Sequence, residues 1–292
     1  MRDRKRKQKP ALSLIGTGRL GTTLALALSA KGYPIRSLVA RRAQRARKTA
    51  TLLDDDVQVL AAKQLDSLLP SDVFLIAVPD DQIAAVATKL SGLQIGSRAT
   101  ALHTSGALSA EVLAPLRKKG WHTGSIHPLA SVSGPAKNGS VLSGAFWSVE
   151  GDKVALRVAK SIVRDLDGKS FSIRSEDKPL YHAAAVMASG NVVALFDIAL
   201  EMLAQCGLTR KTAQSILLPL IASTVRNLEN NDPVQALTGT FSRGDLETVK
   251  RHLKALDRSQ LADALELYRM LGKRSLKLTK KHPQITQILK SV

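Results

Sequence analysis

A short apolar run, Ala11-Leu12-Ser13-Leu14-Ile15, leads straight into Gly16-Thr17-Gly18-Arg19-Leu20-Gly21, and a helical stretch over residues 20–30 follows at once. Each glycine of this Gly-x-Gly-x-x-Gly pattern has a separate physical task. Gly16 permits the tight turn out of a strand, Gly18 lacks the Cβ that would keep a pyrophosphate off the backbone, and Gly21 lets the helix pack closely on the strand. The unpaired N–H groups at the helix start, reinforced by the helix dipole, then hold phosphate oxygens. A strand before and a helix after are the context that gives the pattern meaning, so the spacing predicts a dinucleotide site. Its cradle is Gly16, Thr17, Gly18, Arg19, Leu20 and Gly21, joined by Val78 and Pro79 from the end of a later strand.

Strand and helix signals alternate through the first half of the chain. Strands are expected at 35–39, 57–60, 73–78, 99–103, 121–126, 145–149 and 170–173. Helices are expected at 43–53, 82–90, 109–116 and 152–166, with Asp80 or Asp81 and Ser109 placed to cap two of them. Val73-Phe74-Leu75-Ile76-Ala77-Val78 is continuously apolar, as a parallel strand buried on both faces must be. Such alternation builds an α/β, mostly parallel, doubly wound sheet. From Glu176 the strand signals vanish. Asp177 and Pro179 open a long helix over 180–206, whose centre is almost entirely apolar or small and so should be buried on most sides. Helices at 210–228, 246–255 and 259–278 follow. The chain therefore reads as an arm at 1–10, a dinucleotide-binding domain at 11–175 and an all-α second domain at 176–292.

With 292 residues, 44% of them hydrophobic, the chain is long enough for two domains with a substantial core. Cys206 is the only cysteine, which excludes an intrachain disulfide and fits a reducing cytoplasm. The net charge of +19 favours anionic substrates. Arg2, Arg4, Lys5, Arg6, Lys7 and Lys9 crowd the first ten residues, with no aromatic or apolar residue between them. They read as a basic, disordered, solvated arm, and no nucleic-acid partner is expected. Gly16, Gly18, Arg19 and Gly21 interrupt the apolar stretch after the arm, which argues against a secretory signal. No other stretch approaches the roughly 18–20 uninterrupted apolar residues of a membrane span, so a soluble protein with no membrane partner is expected. No cysteine cluster, His-x-x-x-His or acidic loop is present, and no metal site is expected.

A fold that selects NAD carries an acid about 20 residues beyond the glycines, on the ribose 2′-OH. Here Ala40 occupies that place and Arg41 and Arg42 follow. A guanidinium matches a phosphate in charge and fork geometry, so NADP(H) is the expected cofactor, with Arg41 on the 2′-phosphate and Arg42 or Arg45 assisting. Beyond the cofactor, polar residues at the carboxyl ends of strands are candidates for chemistry. Pro79-Asp80, His103-Thr104-Ser105-Gly106 and Ile126-His127-Pro128-Leu129 all fall there. His127, placed after a strand and before a stiffening proline, is the first choice as acid/base because imidazole titrates near neutrality. Ser105 is a candidate to hydrogen-bond substrate or cofactor. His103 reads as a strand-end histidine that caps neighbouring backbone.

These motifs, together with Leu180-Tyr181-His182-Ala183-Ala184-Ala185, Leu237-Thr238-Gly239, Arg243-Gly244-Asp245 and His252-Leu253, resemble a bacterial family of NADP-dependent oxidoreductases. Its members join a Rossmann-like domain to a helical domain of unassigned function. The wider 6-phosphogluconate dehydrogenase-like group includes prephenate dehydrogenases, ketopantoate reductases and pyrroline-carboxylate reductases. The resemblance to prephenate dehydrogenases, which carry a similar His-Pro pair, implies substrate contact for His127. Ketopantoate reductases use a Lys and an Asn on the first long helix of the second domain. This chain has Tyr181, His182, Ser189 and Asn191 there, with Lys178 read as lying just before the helix. That departure makes His182 a second acid/base candidate, with Asn191 and Ser189 as further catalytic and substrate candidates. His182 and Asn191 are separated by about 13–14 Å along a helix and fall on opposite halves of it. Arg243, in a loop with flexible neighbours, is a candidate fork for a substrate carboxylate, while Asp245 is expected to cap the following helix. The resemblance also implies a homodimer formed through the helical domain. The reading is an NADPH-dependent reductase of a small 2-keto acid, ketopantoate-like, working in an interdomain crevice. The alternatives are a prephenate- or arogenate-type dehydrogenase and a non-catalytic NADP-binding sensor.

Overall fold

The computed structural model describes residues 8–53, 56–96, 98–134, 141–279 and 282–289. Most of the expected basic arm, residues 1–7, lies outside them. In chain order the first elements are β1 (Leu12–Ile15), α1 (Arg19–Ala30), β2 (Ile35–Ala40), α2 (Ala43–Ala50), β3 (Gln58–Ala61), β4 (Val73–Ile76), α3 (Asp80–Ser91), β5 (Thr100–His103), α4 (Ala114–Arg117), β6 (His122–Leu129), β7 (Phe146–Gly151), α5 (Lys153–Asp165), β8 (Lys169–Phe171) and α6 (Lys178–Ala188). The eight strands form one sheet in the order β3-β2-β1-β4-β5-β6-β7-β8. Every neighbouring pair is parallel except β6 and β7. Central strands β1 and β4 are buried at every residue, and this is why their sequences are runs of apolar side chains rather than alternations.

The register decides where chemistry can occur. Ile15 stands beside Ile76, Ile76 beside His103, and His103 beside Ser125, so β1, β4, β5 and β6 end level with one another. Three local expectations need correction. Strand β6 does not stop at Ile126: it continues to Leu129 because β7 pairs with it antiparallel, His127 opposite Ser148 and Pro128 opposite Trp147. His127 is therefore held in a ladder, not on a turn. Helix α3 begins at Asp80 with Pro79 as its N-cap, and no side chain caps it. Ser109 likewise precedes a 3₁₀ turn without a side-chain cap. By contrast, the Asp152 carboxylate does cap α5, accepting from the Val154 and Ala155 amides, and Ala155, Ala159, Ile162 and Val163 line its buried stripe.

Contacts divide the chain between Ser189 and Gly190, with α6 on the side of the sheet. The second unit contains α7 (Gly190–Gln205), α8 (Arg210–Asn230), α9 (Pro233–Ala236), α10 (Thr240–Arg243), α11 (Leu246–Arg258), α12 (Ala262–Thr279) and α13 (Pro283–Ile288). It contains a small core of Val249, Leu276, Ile285 and Leu289. The expected single helix over 180–206 is broken at Ser189, whose φ of −129° and ψ of −78° are not helical. Nor is it buried: Met187 and Val193 are both 68% exposed, and only Leu200 of α7 is buried. Apolar composition says that a surface avoids water, not what covers it, and nothing among the described residues covers this one. Residues Ser175–Gln205 are also long and apolar enough, by length and composition alone, to cross a membrane. Counting uninterrupted apolar residues missed this, because a helix with few charges passes on its mean hydropathy.

Candidate dinucleotide and catalytic site

The glycine turn has the geometry its spacing predicts. Gly16 has φ +104°, a conformation that favours glycine, and a Cβ there would lie 2.3 Å from the Ala77 carbonyl oxygen at the end of β4. A Cβ on Gly21 would lie 1.9 Å from the Gly16 carbonyl oxygen, so α1 can reach the turn only with glycine at this place. Gly18 differs: a Cβ there would meet nothing within 4 Å. The space above Gly18 is open, and Gly18 is the N-cap of α1 with no side chain closing its first amides. The Thr17 hydroxyl is buried with no hydrogen-bond partner. An open helix N-terminus beside an orphaned hydroxyl fits a phosphate, which accepts from both. Arg19, Arg41 and Arg42 are exposed around this cradle, with Arg42 as the N-cap of α2 and Ala40 closing β2.

A second group of residues lies beyond the level strand ends. The Ser105 hydroxyl donates to Asp80 Oδ2 at 2.7 Å and accepts from the amides of Ala107 and Leu108 at 3.1 and 3.0 Å. One donor and two acceptors are all a hydroxyl has, so Ser105 shapes its loop and ties it to α3. His103 is fully buried, accepts from the Ser105 amide on Nδ1 and donates from Nε2 to the Ser109 carbonyl. Both nitrogens are engaged in the neutral tautomer, and burial holds its pKa down at about 3. His103 is thus a backbone cap, as its position suggests. His127 is different. Its Nδ1 shares a 2.8 Å hydrogen bond with the Tyr181 hydroxyl, and its ring meets that of His182 edge-on at 5.4 Å. Burial, then the nearby His182 and Lys178, bring its pKa down to about 4. Burial raises that of Tyr181 to about 12. The Nδ1 of His182 is buried with no hydrogen-bond partner.

Sequence reasoning missed one residue of this group. Lys178 is not outside the helix but is the first residue of α6, and it is fully buried. Its ammonium donates to Ser125 Oγ at 3.0 Å and to the Ser105 carbonyl at 3.4 Å, and Glu150 and Asp80 are the carboxylates that face it. Burial lowers its pKa. The signal was present: Lys178 and His182 are spaced i, i+4 and so share one helix face. The remaining candidates, Asn191 and Arg243, belong to the helical unit, and Ser189 marks the break before it. Asn191 is exposed. Arg243 ends α10, with Nε and one Nη on the Asp245 carboxylate at 3.0 and 2.7 Å. Asp245 therefore pairs with Arg243 and does not cap α11 with its side chain, because the guanidinium is the stronger partner.

The two depressed imidazoles make stability depend on pH. The unfolded chain takes a proton on each ring near pH 6.5, whereas the folded chain takes none until about pH 4 at His127 and about pH 3 at His103. Their contribution is complete above pH 6.5 and is lost as the pH falls toward 3. Between pH 7 and pH 5 the loss should total about 4 kcal/mol. Urea unfolding at the two pH values measures it, and equal midpoints would show that the rings protonate in the folded state.

The architecture and the glycine turn define a Rossmann-like fold of the kind found in NAD(P)-dependent dehydrogenases and reductases. Residues 3–128 match the Rossmann-like domain family, and residues 145–275 match the domain of unknown function DUF2520. The chain is a Rossmann-like domain joined to a DUF2520 domain. No curated protein matches it. Among solved structures, protein TM1727 from Thermotoga maritima is 27% identical, with 92% of this chain and 98% of that one covered and a TM-score of 0.71. A candidate NADP oxidoreductase, BF3122 from Bacteroides fragilis, is 24% identical, with coverages of 94% and 99% and a TM-score of 0.75. The prephenate dehydrogenase from Aquifex aeolicus is 15% identical, with coverages of 92% and 99% and a TM-score of 0.54.

Proposed function

We propose that the protein is an NADPH-dependent oxidoreductase that reduces a small 2-keto acid or related carboxylate, ketopantoate-like in size. The observation that carries this reading is the continuous path along the level strand ends. It runs from the Gly16 turn against Ala77, through Asp80 and Ser105, to His127 and His182. A nicotinamide bound on that path would supply the hydride. Gly16, Gly18, Gly21 and the Thr17 hydroxyl would hold its pyrophosphate, and Val78 and Pro79 would lie beside it. His127 is neutral at physiological pH. With Tyr181 donating to Nδ1, its Nε2–H points a hydrogen bond at the substrate oxygen and passes the proton as negative charge develops there. Nδ1 then takes the Tyr181 proton, which solvent replaces. Arg243 would meet a substrate carboxylate only by leaving Asp245.

Preference for NADPH rests on Ala40 standing where an acid would hold a 2′-OH, with exposed Arg41 and Arg42 following. Titration with both nucleotides should show NADPH binding at least tenfold tighter than NADH, and Arg41→Ala should weaken NADPH alone. Equal affinities would remove the preference. One observation favours a second reading. A neutral His127 is also suited to accept a hydroxyl proton, the direction a prephenate-type dehydrogenase requires. NADPH oxidation across a panel of 2-keto acids and cyclic imines, beside NADP reduction with prephenate and arogenate, decides between them; turnover with none would favour a sensor.

We further propose that the chain is a homodimer joined through its helical unit. The support is the apolar surface left open on α7 and α8, including Val193, Leu195, Ile216, Leu218 and Leu220. Sedimentation equilibrium should give twice the 31.3 kDa chain mass, and Val193→Glu should halve it. A monomer in the unaltered protein would overturn this.

A further inference from the structure

We infer that Gly106 is a positioning residue that seats the His127–His182 pair, an inference that rests on the site proposed above. A Cβ on Gly106 would lie 2.4 Å from His182 Nδ1 and 2.8 Å from both Cε1 and Nε2 of His127. Real Cβ atoms do not come this close to another atom, so no side chain fits while both rings stay in place. The reason is not the backbone. Gly106 lacks the positive φ that Gly16 has, so an L-residue can take up its conformation. Nor is the reason a ligand approach, as at Gly18, since the space beside Gly106 is already filled by the two imidazoles.

The two rings are otherwise lightly held. Among the described residues His127 has one hydrogen bond, to Tyr181, and His182 Nδ1 has none. Strand β6 brings His127 and helix α6 brings His182, and the Gly106 backbone is the surface on which both rings rest. The loop carrying Gly106 is itself fixed, by the Ser105 hydroxyl to Asp80 and by the Lys178 ammonium to the Ser105 carbonyl. Gly106 thus passes the rigidity of that loop to the imidazoles. Positioning of this kind matters because displacement of a reacting group by about 1 Å costs on the order of 100-fold in rate.

Gly106→Ala in the full-length protein tests the inference through the two rings. The imidazole ¹⁵N and ¹H signals of His127 and His182 should both move, while NADPH affinity stays within twofold and kcat falls at least tenfold with little change in KM. Unmoved imidazole signals would overturn it, as would equal losses of nucleotide affinity and kcat. The imidazole signals do not require turnover, so they test the positioning even if no substrate is found and the proposed reaction fails. If Gly106→Ala does not fold, Gly106→Ala combined with His182→Ala gives the answer. Removing the His182 ring takes away the 2.4 Å contact and frees the space into which the His127 ring, at 2.8 Å, can give by a few tenths of an ångström, so the double variant should be more stable than the single one. A double variant as unstable as the single one would place the constraint elsewhere.

Discussion

Replacing His127 with alanine should lower kcat at least 100-fold and leave NADPH affinity within about twofold, because positioned acid–base groups contribute about 100- to 10,000-fold. The split follows from the structure. His127 is held on β6, one strand beyond β5, whereas the phosphate cradle is at the end of β1. The ring is not needed to hold its strand, since the β6–β7 ladder is backbone. Tyr181→Phe should give a smaller loss, because it removes the partner on Nδ1 and leaves the imidazole in place. Steady-state rates with the best substrate from the panel, paired with nucleotide titration, provide the measurement. Unchanged turnover in His127→Ala would remove this residue from the mechanism.

The other large effect is on stability. Lys178→Ala should destabilise the protein by about 3 kcal/mol, since it empties the space of a fully buried side chain and removes two hydrogen bonds of a charged donor. Lys178→Met refills most of that space. A buried ammonium also carries a desolvation cost, seen in its lowered pKa, and methionine relieves it. The methionine variant should therefore lie well above the alanine variant in urea midpoint. Equal losses in the two would mean that charge, and not packing, is what Lys178 contributes.

The sequence made the alternation of strands and helices and the phosphate turn readable, because each depends on short-range patterns. Three glycines at fixed spacing and an apolar run such as Val73-Phe74-Leu75-Ile76 are local features with one physical reading. His103 as a backbone cap was legible for the same reason. What escaped was set by long-range pairing. Whether β6 stopped before His127 depended on β7, about 20 residues later, coming back antiparallel. The burial of Lys178 depended on Ser105, in the loop after β5, and Ser125 of β6. The apolar face of α7 spoke for burial, yet a hydrophobic stripe carries no address for its partner. Asp245 was expected to cap α11, and only the fold shows its carboxylate taken by Arg243.

The unpaired Thr17 hydroxyl and the uncapped start of α1 also bear on how long the molecule survives. A buried polar group without a partner costs free energy, and a ligand that pairs with it recovers that cost. Nucleotide present at a hundredfold excess over its Kd would add about 2.7 kcal/mol to the folded state. Degradation in a cell draws on the small fraction of open molecules, and that fraction would shrink about 100-fold. The abundance of this protein would then follow the supply of its nucleotide, rising when the pool is full and falling by proteolysis when it is drained.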